Sequence, residues 1–366
     1  MYHRYRGAAL RYYACLLLAT LLVLLSGCGP DAASTPQPAL PLRPRPTGAP
    51  GADPPPTVVA DTTALPGRLL FVVDGNLWLW QGQHGSALTS SGDAYQPAWS
   101  PDGSRIAYIR REESASDLML MAAAGGEPVQ VTSNGSGEPL HSYERIYASV
   151  WAFYPAWSPD GAEIAFASQA APPFGSPAAE YRVTLYSVPA AGGEQQQLYA
   201  DDEGHVGRLA YAPDGGAIAF AYASASDGAA QLRRYVRTES AAALWPGAPE
   251  QSYDPAFSPD GRWLAFAARD TSTGSGGVGG RTDLFAIPAT GGSPARLTSL
   301  GGARAPAFSP DGKLLAFLAI MPGADKFDLW VIDLQFGPDG ALHASEPRQI
   351  TRDLRIDADS GLSWSR

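Results

Sequence analysis

Long apolar runs are missing from this 366-residue chain, and so is nearly all cysteine. The two cysteines, Cys15 and Cys28, cannot build a disulfide framework or a cysteine-rich metal site. The apolar run Tyr12 to Leu25 has 14 residues, short of the ~20 that span a bilayer as a helix. Charge is scarce at 17%, and it is unbalanced: 36 Asp and Glu against 26 Lys and Arg leave a net −10. That balance excludes nucleic acid as the main partner, because phosphate recognition needs a basic surface. The motifs of common catalytic sites are missing too: there is no G-x-S-x-G, Walker A, H-E-x-x-H or C-x-x-C. Gly274 to Gly279 fits G-x-G-x-x-G, but it lies inside a predicted hairpin with no helix after it, so it reads as a flexible loop. What the chain has instead is turn chemistry, with 40 Gly and 33 Pro, alongside 45% hydrophobic residues that suffice for a core.

The amino terminus reads as an address. Arg4, Arg6 and Arg11 open it, and Leu25-Ser26-Gly27-Cys28 closes the apolar run. A basic start, a short apolar core and small residues before the cut are the marks of a secretory signal. The closing four residues resemble the lipobox of bacterial lipoproteins. The resemblance implies cleavage before Cys28, lipid on its thiol, and an exported protein anchored to the bacterial cell membrane or outer membrane. The competing readings are a plain secretory signal with a stray cysteine and a retained membrane helix. Removal of residues 1–27 discards Cys15 and three arginines, which takes the net charge to −13. Such a body is not drawn to anionic headgroups. Residues 28–66 are dense in proline and lack an apolar period, so they are expected to form an extended, semi-rigid tether. A proline-motif ligand is the alternative for that stretch.

The remainder repeats. AYQPAWSPDGSRIAYIR (94–110) returns in altered form at 153–168, 207–222, 252–268 and 304–319. The turn prolines Pro101, Pro159, Pro213, Pro259 and Pro310 are 58, 54, 46 and 51 residues apart. A period near fifty with several short strands per unit suggests a β-propeller. Each unit reads as four strands. The first ends at Trp99, Trp157, Tyr211, Phe257 or Phe308, and a Ser/Ala-Pro-Asp-Gly turn follows. The second carries an Ile/Leu-Ala-Phe/Tyr triplet, and its small central residue suits a sheet packed on both faces. Residues 68–90 read as strands two to four of a further unit, and Gly361 to Trp364 as its strand one. The expectation is an all-β, six-bladed propeller over 67–366, closed by terminal strands that share one blade. Closure of that kind removes open sheet edges.

The PAWSPDG…IAF units are similar to the WD40-like PD40 repeats of TolB-type propellers, and the similarity covers 67–366. Proteins of that type carry an α/β domain before the propeller and are soluble in the periplasm, whereas this chain is expected to have only a lipid-anchored tether there. Related repeats also precede the hydrolase domain of prolyl-oligopeptidase-like enzymes. No such domain is expected here after the closing strand.

Candidate sites come from loop lengths. In a propeller the connections from strand four to the next strand one share a face with those from strand two to strand three. The long insertions 133–152, 169–180 and 270–281 all belong to those connections and should crown one face. The first two carry His141, Tyr143, Glu144, Arg145, Tyr147, Trp151, Phe174 and Tyr181, and exposed aromatics with Arg suit a partner-binding surface. The competing reading is that these aromatics pack the loop onto its own blade. The same face receives acids, among them Asp93, Asp202, Asp254 and Asp359, which could hold Ca²⁺ at the channel mouth or stay solvated. The turn acids Asp102, Asp160, Asp214, Asp260 and Asp311 are assigned to turn geometry rather than to a carboxylate ring, and His84, His141, His205 and His343 to turns and loops. Asn134-Gly-Ser136 matches a glycosylation acceptor that means little in a bacterial lipoprotein. No catalytic residue and no cofactor is expected apart from that Ca²⁺. The leading functional expectation is a monomeric, non-enzymatic scaffold that binds an envelope protein, peptide or glycan, with the membrane reached only through the lipid anchor. The alternative is a metal-dependent, lactonase-like envelope hydrolase working in the propeller channel.

Overall fold

Alternation of a large apolar residue with alanine on strand two determines how the sheets stack. The computed structural model describes residues 57–58, 64–169, 171–174, 182–201, 203–226, 228–269, 281–337 and 341–366. Within Arg105–Arg111, Ile106 and Tyr108 join one apolar cluster with Leu70 and Leu77, while Ala107 and Ile109 join the next with Ile164 and Phe166. Within Trp263–Arg269, Leu264 and Phe266 pack with Ala219 and Leu232, and Ala265 and Ala267 with Leu315 and Phe317. Successive strand residues point to opposite faces, so each sheet is buried on both. The alanine leaves room for the aromatic ring of the next sheet. Phe166, Phe220, Phe266 and Phe317 are fully buried, and truncating a ring so placed costs about 3–5 kcal/mol.

Six antiparallel sheets follow, each antiparallel from its inner strand outwards. Blade 1 combines Ser363–Ser365 with Leu65–Val73, Asn76–Gly82 and His84–Ala87. Blades 2 to 6 span 94–130, 152–199, 204–244, 252–296 and 303–349. The expected closure is present: Leu69 pairs with Trp364 and Leu70 with Ser363. Six apolar clusters lie between successive blades, and the last joins Leu69 and Phe71 of blade 1 to Leu318 and Val331 of blade 6. Outside the blades, Thr57–Val58 pairs with Thr351–Arg352. Among the described residues no helix is long and apolar enough to cross a membrane.

The turn acids have the role their sequence context suggests. Ser100 Oγ donates to Asp102 Oδ1 at 2.6 Å, and the same carboxylate oxygen accepts Ser104 N–H at 3.0 Å. The pattern recurs at Ser158–Asp160, Ser258–Asp260 and Ser309–Asp311. Hydrogen bonds from the turn serine and then from the backbone hold Asp102 and Asp160 below the usual carboxylate range. The turn glycine takes a φ of 67–73° in all five repeats, a region that favours Gly, and Gly161, Gly215, Gly261 and Gly312 each rest on the turn proline of the preceding blade. The ring of turns therefore interlocks blade to blade on this face.

Two devices escaped sequence reasoning. Strand one contains a bulge, seen as register shifts between Tyr95 and Ala98 and between Tyr253 and Ala256. The residue before the strand proline takes a left-handed φ of 53–54° at Gln96, Tyr154, Asp254 and Ala305, and such bulges re-aim side chains. On strand three, buried Asp117, Asp283 and Asp328 accept hydrogen bonds from Thr132, Thr298 and Thr351, each two residues past the end of strand four. Each threonine hydroxyl in turn accepts the next strand-three N–H, at 2.9 Å from Leu118, Leu284 and Leu329. Three of the histidines assigned to turns or loops, His84, His205 and His343, lie in strands, at or near hairpin ends where a boundary shifts by a residue or two.

Candidate functional site

The loop that leaves blade 2 and enters blade 3, residues 133–151, is pinned at its base. Asn134 donates from Nδ2 to Ser116 O at 2.7 Å and from its backbone to Asp117 Oδ1 at 2.8 Å. Its side chain is thus buried in the blade and engaged, and the acceptor motif is a structural joint. Val150 N–H returns to Asn134 O at 3.1 Å. The loop then meets residues 112–115, the strand-two to strand-three connection of blade 2, so the two kinds of connection share a face as expected.

A short helix, Tyr143–Tyr147, forms the loop's summit. Ser142 caps it by accepting Arg145 N–H at 3.2 Å. Arg145, expected to face a partner, is 8% exposed and works inward. Its guanidinium donates to Ser136 O at 3.0 Å, Glu138 O at 2.9 Å and Glu112 at 3.3 Å. His141 donates its backbone N–H to Glu113 and places Nδ1 against the same carboxylate. Those bonds, the backbone one first, hold the Glu113 carboxyl below its usual range. Tyr147 is half-buried, and its hydroxyl has no partner among the described residues. Trp151 stacks on Phe153 with ring centroids 6.2 Å apart. Arg145, His141 and Trp151 therefore brace the loop against its blade.

Tyr143, Glu144, Phe174 and His141, the last bonded to Glu113, are the expected contacts that the structure presents to solvent, with Tyr143 at 69% and Phe174 at 68% exposure. Two residues join them that sequence reasoning passed over: Leu140, at 65%, and Ile146, at 37%. The i,i+3 spacing of Tyr143 and Ile146 was the available signal. A cavity of about 400 Å³ opens beside the helix, lined by Glu113, Ser114, His141, Tyr143, Arg145 and Ile146. Tyr181, like most of 169–180 and 270–281 with its G-x-G-x-x-G, lies outside the described residues.

At the centre of the ring a cavity of about 310 Å³ is walled by strand-one residues, including Pro97, Pro155, Pro255 and Pro306. Its mouth holds an ion network. Arg208 Nε donates to Asp254 Oδ1 at 3.0 Å, and Arg304 Nε to Asp254 Oδ2 at 3.1 Å. Arg304 also reaches Asp359 Oδ1 at 2.7 Å. Arg208 extends to the backbone oxygens of Ser360 at 3.1 Å and Asp359 at 2.6 Å, tying blade 4 to the closing blade. Gly361 takes a φ of 71°, a region that favours Gly, and a Cβ there would press on the Arg208 guanidinium. Burial opposes ionisation of Asp254, but the two guanidinium charges outweigh it and hold the carboxyl below its usual range. Burial would lower Arg304, yet Asp254 and Asp359 raise it.

The acids expected to hold Ca²⁺ do not converge. Both oxygens of Asp254 are taken by arginine, Asp359 shares Arg304, and Asp93 is engaged by Ser91. Asp202 lies outside the described residues. Among the described residues no group of three or more His, Cys, Asp or Glu is placed to hold a metal ion. The positive charge that the mouth's carboxylates require comes from arginine side chains. Asp201, where the chain passes from blade 3 to blade 4, is bound by Tyr199 at 2.6 Å and Arg233 at 2.9 Å. Burial opposes its charge, and these hydrogen bonds overcome it, lowering its pKa to about 2.

No family model matches the chain. A Bacillus subtilis (strain 168) protein named uncharacterized peptidase YuxL is 29% identical over an alignment of 213 residues that covers 54% of this chain. The chain spans only 26% of that relative's length. Among solved structures, TolB from Acinetobacter baumannii is similar with a TM-score of 0.59 at 20% identity, over 81% of this chain and 66% of that one. A putative TolB from Agrobacterium tumefaciens gives 0.50 at 18% identity, over 82% and 98%. At such identities the likeness is one of fold. This chain is a six-bladed β-propeller whose structural neighbours are TolB proteins.

Proposed function

We propose that this chain is an exported lipoprotein, cut before Cys28 and lipidated there, whose propeller binds a protein, peptide or glycan of the cell envelope through its crowned face. Residues 28–66 serve as the tether, and the propeller acts as a monomer. The fold supports a scaffold or binding role. One observation carries the reading: the crown holds Leu140, Tyr143 and Phe174 in solvent, each 65–69% exposed, while Arg145 turns inward to brace the loop beneath them. Large apolar side chains on a braced surface are what recognition hot spots use.

A channel hydrolase is the second reading, and the named peptidase among the relatives keeps it in view. The arginine network at the channel mouth favours the binding reading, because it already occupies the carboxylates a catalytic metal would need.

The test is recovery of partners from membranes with wild type and with Leu140→Ser/Tyr143→Ser. Recovery that falls at least tenfold in the variant supports the crown. Equal recovery removes it. Loss of lipid labelling in Cys28→Ser, with the protein still exported, tests the anchor.

A further inference from the structure

The crown also carries a charge pattern, and it narrows the class of partner. Between 133 and 151 the charged residues are Glu138, Glu144 and Arg145, with His141 as the one histidine. Arg145 is 8% exposed and committed to Ser136, Glu138 and Glu112, so the cation of this loop faces inward. Glu138 and Glu144 are exposed. Glu113 borders the cavity, and the His141 bonds hold it below the usual carboxylate range, hence charged. The apolar residues Leu140, Tyr143 and Ile146 thus stand among carboxylates with no exposed Lys or Arg of the same loop beside them, and the one exposed basic side chain, His141, is already paired with Glu113. Electrostatic complementarity selects partners and suppresses like-charged ones.

We propose that the crown takes a basic amphipathic protein segment, one whose apolar anchor enters the cavity between Tyr143 and Ile146 while its Lys or Arg side chains meet Glu113, Glu138 and Glu144. This rests on the crown-binding reading and adds the chemistry of the partner. Anionic lipid and acidic peptides are disfavoured by the same charges.

The experiment uses the full chain and three labelled peptides of equal length, followed by fluorescence anisotropy at physiological ionic strength. One peptide is an amphipathic Leu/Lys helix, one its Leu/Glu counterpart, and one a Lys/Ser peptide with the charge of the first and no apolar face. The expected result is Leu/Lys binding at least about tenfold tighter than either control, with the excess lost in Tyr143→Ser and reduced several-fold in Glu138→Gln/Glu144→Gln. Equal binding of Lys/Ser would mean general attraction to an acidic protein and overturns the proposal. Equal binding of Leu/Glu overturns the charge selection alone, while membrane recovery that still depends on the loop leaves the crown-binding reading standing. Two further results would assign the patch to another occupant and overturn the basic segment. They are Tyr143-dependent pelleting with zwitterionic vesicles and Tyr143-dependent dimerisation by light scattering.

Discussion

Blades 4 and 5 are neighbours built from the same repeat, yet they use it differently. Blade 5 keeps every device: Asp254-Pro255 at the bulge, Ser258 bonded to Asp260 in the turn, and buried Asp283 bonded to Thr298. Blade 4 replaces each one. Arg208-Leu209 stands at the bulge, Ala212 in the turn, and Gln231 where strand three of blades 2, 5 and 6 has Asp. Its strand three, Ala230–Val236, is only partly buried, whereas Thr282–Pro288 is largely interior. The substitution at the bulge is the informative one. An arginine there reaches Asp254 of blade 5 and the backbone of the closing blade, joining three blades across the mouth. The repeat supplies the scaffold, and the departure from it creates the connection that no single repeat contains.

Breaking the link between the two blades gives the largest expected effect. Asp254→Ala leaves Arg208 and Arg304 without their shared carboxylate and should cost about 3–5 kcal/mol in denaturant unfolding. Acid sharpens the point. The folded-state pKa of Asp254 is depressed, so its stabilisation is complete above the unfolded value of ~3.9 and is lost as pH falls through the folded value. Asp201, at about 2, behaves likewise over that acidic window. Unfolding midpoints between neutral pH and strong acid should therefore fall less steeply in Arg208→Ala than in wild type. Next in size, Asp283→Ala removes the acceptor for Thr298 and Gly301 N–H and should cost about 1–3 kcal/mol. Gln231→Ala at the matching place in blade 4 should stay within ~0.5 kcal/mol. The smallest effect is a gain. Ala212→Ser restores the turn hydroxyl in blade 4 and should raise the melting temperature slightly, by about 1 kcal/mol or less of stability, while Ser258→Ala lowers it by a similar amount.

The blade count was legible because its signals are local. A Pro-Asp-Gly turn, an alternating strand and an aromatic at a fixed offset each leave a trace within a few residues, and Gly361 to Trp364 betrayed the missing strand of blade 1. The Asp–Thr bond between strand three and the segment that leaves strand four was half legible. Asp117-Leu118 and Val131-Thr132 were visible as strand residues, but nothing in one dimension says that the hydroxyl and carboxylate meet. The crown shows the same limit more sharply. Loop length marked 133–152 as a recognition loop, yet it could not say that Arg145 faces inward while Leu140 and Ile146 face out.

By itself the sequence determined the all-β class, the six blades and their closure, because strand period, turn chemistry and repeat spacing are short-range properties of the chain. Only the tertiary structure decided which charges meet. Arg208 and Ser360 are 152 residues apart in the chain, and Arg208 and Asp254 are 46 apart. Two of the acids expected to gather a cation, Asp254 and Asp359, therefore found guanidinium groups instead, an outcome governed by the convergence of blades 4, 5, 6 and 1 on one axis. Burial demands such partners, since a carboxylate removed from water must be met by counter-charge or by hydrogen bonds, and only the closed ring brings these arginines within reach of Asp254.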